Sequence, residues 1–232
     1  MRRDLPDVSH VVEKSALPAR PEIVIRALQP LLTEERIRRL ETIINQRTRS
    51  VIAVLDGLID PHNTAAILRS ADAFGTQEVH VIERDEPFIA STRVTTGAER
   101  WLDLIRHSTA ERCVNVLRDR GFRVYVATSD GELNPFDLAR IERVAVVFGN
   151  EHSGVRQEFL QYSDGSYGIP MRGFVQSLNV SVATAITLHA ATVGRSGDLT
   201  SAERTMLRAR FMMLSVRNAT QVVLDYLRRH EG

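Results

Sequence analysis

Three short polar clusters stand where chemistry could be done. They are Pro61-His62-Asn63 with Arg69 six positions on, Gly149-Asn150-Glu151-His152-Ser153-Gly154, and Gln176-Ser177-Leu178-Asn179. Amides and hydroxyls of these types orient a reactant by hydrogen bonding, and arginine supplies a permanent positive fork for phosphate or developing negative charge. Several familiar chemistries are excluded. The chain has no G-x-G-x-x-G fingerprint and no G-x-S-x-G elbow. Gly149 and Gly154 have phosphate-loop spacing, but Val155-Arg156 replaces the required Lys-Ser/Thr. No Cys/His set has the sequence spacing of a metal site, so no metal is expected.

The elements that must position these clusters alternate between strands and helices. Thr33 is expected to cap a helix with the apolar stripe Ile37, Leu40, Ile43 and Ile44. Val51–Leu55 reads as a strand buried on both faces, followed by turn chemistry at 60–63 and a helix from Thr64 to Phe74. Further strands are predicted at Glu78–Ile82, Phe122–Thr128, Arg143–Phe148 and Tyr167–Pro170, with a short one within Trp101–Leu104. Helices are predicted over Thr109–Arg120 and Gly154–Tyr162, and in the tail from Thr200. Ser177 and Asn179 are capping types at the start of a helix so uniformly apolar that burial all round is expected. The alternation predicts an α/β fold, a mostly parallel sheet with helices on both faces. In such sheets ligands bind beyond the carboxyl ends of the strands, where all three clusters fall.

Composition bounds the rest. The chain has 232 residues, 43% apolar and 25% charged, which is ordinary globular usage. No apolar run approaches a membrane span, no apolar stretch follows the first residues as in a signal peptide, and Cys113 is the single cysteine. A cytoplasmic protein with no membrane partner is therefore expected, with Cys113 an inert core thiol. Net charge is only +1, and of 30 basic residues only Lys14 is lysine. The arginines crowd an early segment (Arg36, Arg38, Arg39, Arg47, Arg49) and the tail (Arg204, Arg208, Arg210, Arg217, Arg228, Arg229). Basic ends around a near-neutral middle fit a catalytic core with nucleic-acid-gripping extensions, and equally fit solvated helices or codon bias.

Together the clusters resemble the motifs of the SPOUT superfamily of RNA methyltransferases, in its SpoU/TrmH branch. The first motif is Asn63-Thr64-Ala65-Ala66-Ile67-Leu68-Arg69. The second is the apolar strand ending in Gly149-Asn150-Glu151-His152-Ser153-Gly154. The third, I-P-M-x-G-x-x-x-S-L-N-V-S, runs from Ile169 to Ser181 without a mismatch. Leu32–Ile37, Asp60–Asn63 and Gly97–Leu102 are similar to the subfamily that methylates guanosine 18 in the tRNA D-loop.

The resemblance implies a deep trefoil knot, a homodimer, S-adenosylmethionine as methyl donor and tRNA as substrate. It implies an N-terminal arm and helical extension over 1–49, a catalytic domain over 50–194 and a helical C-terminal extension over 195–232. Carried over by motif, Thr128, Gly149, Ile169 and Leu178 would hold the cofactor. Arg69 would stabilise the developing ribose alkoxide, since arginine holds its proton too firmly to act as a simple base. Asn63 would orient Arg69 or the ribose, Glu151 would fix an arginine, and Ser177 and Asn179 would support the cleft. Arg36, Arg38, Arg39 and Arg172 would contact RNA. Plainer readings stand beside these: Arg69 paired with Asp72, Asn63 as a turn former, Glu151 as a surface acid, His62 and His152 as hydrogen-bonded loop residues. A ribosomal RNA 2′-O-methyltransferase and a catalytically silent RNA-binding protein on the same scaffold are the alternatives in function.

Overall fold

The computed structural model describes residues 16–82, 97–150 and 153–230. Two units can be distinguished: residues 49–195 form one, and residues 16–48 together with 196–230 form the other.

The first unit is built on six strands: β1 (Val51–Asp56), β2 (Glu78–Ile82), β3 (Asp103–His107), β4 (Arg123–Ala127), β5 (Val144–Phe148) and β6 (Gly165–Tyr167). Every pairing is parallel, in the order β3-β2-β1-β5-β4-β6. All six residues of β1 are buried, as a central parallel strand requires. Alternate side chains serve two cores. Val51, Ala53 and Leu55 join Ile67, Leu68 and Ala71 of helix α3 (Pro61–Ala73). Ile52 and Val54 join Cys113, Val114 and Leu117 of α4 (Ala110–Asp119) and Phe159 of α5 (Gln157–Tyr162). Helix α6 (Val180–Thr192) adds Leu188 and Ala191 to the α3 side. Helices therefore cover both faces, as the alternation predicts.

Local differences from the predicted elements have identifiable causes. Helix α3 begins at Pro61, one turn before Thr64, because proline is tolerated at a helix's first position and Asp60 accepts from the His62 amide at 2.8 Å. The strand expected within Trp101–Leu104 is β3, which starts at Asp103; Trp101 closes a 3₁₀ turn (Ala98–Trp101). Strand β6 stops at Tyr167, where Tyr167–Pro170 was expected to pair. Helix α6 is not buried all round. Val182 and Ile186 lie on an exposed apolar face, and Phe174, Val175 and Val193 are also exposed.

The second unit holds helices α1 (Pro21–Leu28), α2 (Glu34–Gln46), α7 (Ser201–Ser215) and α8 (Ala219–His230). Thr33 caps α2 as predicted, accepting from the Arg36 amide. Helix α1 was not anticipated, although Pro21 opens it and Ile23, Val24, Ala27 and Leu28 form its buried stripe. A Thr200–Glu203 capping box starts α7. Arg208 of α7 grips Glu41 of α2 with both fork nitrogens at 2.5 and 2.6 Å. No helix among the described residues is long and apolar enough to cross a membrane.

Candidate functional site

Ala127, Phe148 and Tyr167 are the last residues of three adjacent strands, β4, β5 and β6. The chain leaving each of them helps enclose a cavity of about 550 Å³. That is within the range of about 300–1,000 Å³ typical of small-ligand sites. Thr128, Gly149, Ile169 and Leu178, the four residues expected to hold a cofactor, all line it, and so do Ser177 and Asn179.

Each wall is fixed by a specific local cause. After β5 the backbone of Gly149 passes so close to the returning chain that a Cβ would lie 2.2 Å from the Val155 nitrogen, so only glycine fits. Asn150 then ties its loop together. Its backbone exchanges hydrogen bonds with Gly154 at 3.0 and 2.9 Å, its Oδ1 accepts from the Ser153 amide, and its Nδ2 donates to the Gly57 carbonyl at 2.7 Å. Arg156 carries the same loop back to β1. Its amide donates to Asp56 Oδ2 at 2.9 Å, and its Nε lies 2.6 Å from Oδ1 of that fully buried carboxylate. After β4 the Thr128 amide donates to the Tyr167 carbonyl at 2.9 Å, and Leu133 brackets β6 through Ser166 and Gly168.

The third wall differs in kind. No backbone hydrogen bond joins any residue of 169–178 to another described residue. Backbone groups without protein partners beside a cavity are free to bind a ligand. The Tyr167 and Thr187 hydroxyls, also on its wall, are buried and make no hydrogen bond of normal geometry. Burial pushes the Tyr167 phenol up, so it stays protonated. No charged side chain lines the cavity among the described residues. Its chemistry is therefore shape and neutral hydrogen bonding, which suits holding a nucleoside-like molecule and leaves proton handling to groups outside.

Asn179 ends this wall and begins α6. Its Oδ1 caps the helix by accepting from the Ser181 amide at 2.8 Å, while its Nδ2 donates to Oδ1 of Asn63 at 3.0 Å. Two motif residues 116 positions apart in sequence are thus brought together. Ser177 does not cap the helix, because the helix starts at Val180 and the Asn179 side chain does that job. Arg69 is exposed on α3 and does not line the cavity. Six residues turn a helix by about 600°, so Arg69 leaves α3 on a different side from buried Asn63. Glu151 and His152 lie outside the described residues.

Among the arginines expected to contact RNA, Arg38, Arg39 and Arg172 are exposed. Arg36 is half-buried and donates from Nη2 to the Ser215 hydroxyl at 3.1 Å. Asn150 was named only as part of its polar cluster, and Asp56 and Arg156 were given no role from the sequence. Asp56 had a legible signal, an acid ending an entirely apolar strand.

Residues 50–189 match the model of the SpoU rRNA Methylase family. The chain is 36% identical over 157 residues to a tRNA (guanosine(18)-2′-O)-methyltransferase of Thermus thermophilus, covering 67% of this chain and 81% of that protein. The TrmH/SpoU tRNA modifying enzyme of A. aeolicus superposes with a TM-score of 0.71 at 26% identity, over 80% of this chain and 98% of that one. The SpoU methyltransferase AviRb of Streptomyces viridochromogenes, solved in complex with AdoMet, superposes with a TM-score of 0.57 at 25% identity, over 66% and 62% of the two chains.

Proposed function

The chain belongs to the SpoU rRNA methylase family and is a methyltransferase, and on that premise we propose that it methylates the ribose 2′-hydroxyl of guanosine 18 in the tRNA D-loop. The observation carrying this reading is the cavity at the ends of β4, β5 and β6, lined by no charged side chain among the described residues and walled by Gly149, Asn150 and the 169–179 stretch within the family match. S-adenosylmethionine fits the residues present: Gly149, Ile169 and Leu178 would hold it through backbone groups, with Thr128 at the rim. When bound, its sulfonium supplies an electrophilic methyl group. The 2′-hydroxyl is a weak nucleophile until its proton leaves, so the protein must stabilise negative charge on that oxygen and hold the reactants in line. Arg69 takes the first task as an exposed cation outside the uncharged cavity, and the Asn63–Asn179 pair takes part in the second. Glu151 is assigned the role of fixing an arginine fork.

The choice of tRNA is supported by the 36% identity to the Thermus enzyme across 81% of its length. Arg38, Arg39 and Arg172 are proposed RNA contacts, and Arg36 contributes to them less because Ser215 engages it. The active species is proposed to be a homodimer, with the exposed apolar face of α6 and Phe174 as its contact surface. The knotted path of the chain and a cytoplasmic location are parts of the same reading. A ribosomal RNA substrate is the second reading, favoured by the name of the matching family.

The test is methyl transfer from labelled S-adenosylmethionine to unmodified tRNA and, in parallel, to ribosomal RNA, followed by digestion and identification of the labelled nucleotide. Label on the ribose of a D-loop guanosine is the expected result. Label confined to ribosomal RNA moves the target and keeps the chemistry. No label in either, with cofactor bound, would leave a silent RNA-binding scaffold.

A further inference from the structure

Away from the cavity, on the side of the sheet covered by α4, three potential metal donors converge. They are His80 of β2, His107 of β3 and Cys113 of α4, all buried, with one donor atom from each lying within 4.8 Å of the others. Sequence spacing gives no hint of this set, because the parallel β2–β3 pairing and the packing of α4 bring it together. His80 Nδ1 is the focus: His107 Nε2 lies 2.8 Å from it and Cys113 Sγ 3.9 Å.

The hydrogen bonds around this focus hold its imidazoles in place. Glu78 Oε1 lies 2.7 Å from His80 Nε2, and Arg120 holds the same carboxylate by both fork nitrogens at 2.5 and 3.0 Å. Arg49 adds a further hydrogen bond to Glu78 Oε2 at 2.7 Å, so the carboxylate is held on both oxygens. With Glu78 engaging His80 at Nε2, the other ring nitrogen, Nδ1, is the one that faces His107 and Cys113. His107 Nδ1 is also buried, with no hydrogen-bond partner among the described residues. A carboxylate orienting one imidazole through its far nitrogen is the outer-shell arrangement of histidine metal sites.

We propose that His80, His107 and Cys113 form a binding site for a thiophilic d¹⁰ cation, zinc(II) or copper(I), with Glu78 as the outer-shell carboxylate. One thiolate and two imidazoles are a donor set for such ions. The ligand shell must rearrange. The two rings, with facing nitrogens 2.8 Å apart and centroids 4.8 Å apart, must turn and part so that both lone pairs converge, and the sulfur must close in, for all three to meet metal bond lengths of about 2.0–2.3 Å. The balance is simple: the Cys113 S–H bond breaks, a sulfur–metal bond forms and one proton leaves to solvent. The His107 proton moves to its other ring nitrogen, and nothing is oxidised or reduced. The ion would pin β2, β3 and α4 together, independently of methyl transfer.

The test uses the full chain, stripped by a strong chelator and then given cobalt(II) or zinc(II), both as the native protein and during refolding from denaturant. Cys113 is the single cysteine, so any sulfur-to-cobalt charge-transfer absorption reports this site alone. Expected are one bound equivalent with that absorption, one proton released per ion, and a Tm raised by several degrees with zinc. Cys113→Ala should lose all three while keeping its circular dichroism and its methyl transfer. A parallel competition against a chromophoric copper(I) chelator decides which ion is held more tightly. No charge-transfer absorption in either native or refolded protein would overturn the proposal, and so would a zinc-induced Tm shift that persists in Cys113→Ala.

Discussion

Asn179 Nδ2 donates to Asn63 Oδ1 at 3.0 Å, and the same Asn179 side chain caps α6 through Oδ1. One amide therefore uses its donor to hold the start of α3 and its acceptor to start α6, so the two helices cannot shift independently. Asn179→Ala should remove both bonds and Asn63→Ala only one. A neutral hydrogen bond, here part-buried, contributes about 0.5–1.5 kcal/mol and a cap about 1 kcal/mol. The Asn179 variant should thus be the less stable by roughly that cap, read as a larger fall in the urea midpoint. Equal losses would mean the cap does not matter.

Arg69 lies outside the cavity's lining. Arg69→Ala should leave S-adenosylmethionine affinity within about twofold, as calorimetry reads it, while lowering kcat on tRNA by about 10²–10³, the range for removing one oxyanion-stabilising group. A parallel loss of cofactor binding would make Arg69 a structural residue of the cleft.

Gly149 should tolerate no side chain, because a Cβ would meet the Val155 nitrogen at 2.2 Å. Overpacking of this kind costs about 1–3 kcal/mol, and the chain that must move is the cavity wall. Gly149→Ala is expected to lose cofactor affinity by more than tenfold and to lower Tm, whereas Gly154→Ala, whose added Cβ meets open space but sits at a φ of 65°, should show backbone strain with weaker effect on binding.

Arg195, just beyond α6, donates to the carbonyls of Ala191, Glu142, Leu138 and Ile141 and to the Ser50 hydroxyl. It thereby ties the end of α6 to the turn before β5. A hydrogen bond to a charged group is worth about 1.5–3 kcal/mol net of exchange with water, and bonds made by one side chain do not simply add. Arg195→Ala should cost about 2–4 kcal/mol in all. Hydrogen exchange should show the last turn of α6 opening first.

The exposed Val182 and Ile186 supply the remaining prediction. If a second copy covers this face, Val182→Glu with Ile186→Glu should convert the protein to a monomer in sedimentation while the circular dichroism is unchanged, because neither side chain belongs to the core. A dimer that survives both charges would place the contact elsewhere.

Much of this protein was legible one residue at a time. The unbroken run Val51–Leu55 specifies a strand buried on both faces, Thr33 and Thr109 specify helix starts, and Asn63–Arg69 with Ile169–Ser181 specify a chemistry, because capping, periodicity and motif spacing are local properties of the chain. Long-range meetings were not legible. No spacing rule joins Asn63 to Asn179, Asp56 to Arg156, or His80 to His107 and Cys113, since parallel pairing and crossover packing set those distances. The same limit explains α6. Its residues are apolar on every side, so periodicity alone predicts complete burial, whereas the sheet has only one face to offer it. Sequence determined which elements form and which groups they carry. Tertiary structure decided which of those groups meet and which apolar side is left facing outward, because an apolar surface is buried only when a complementary one is placed against it.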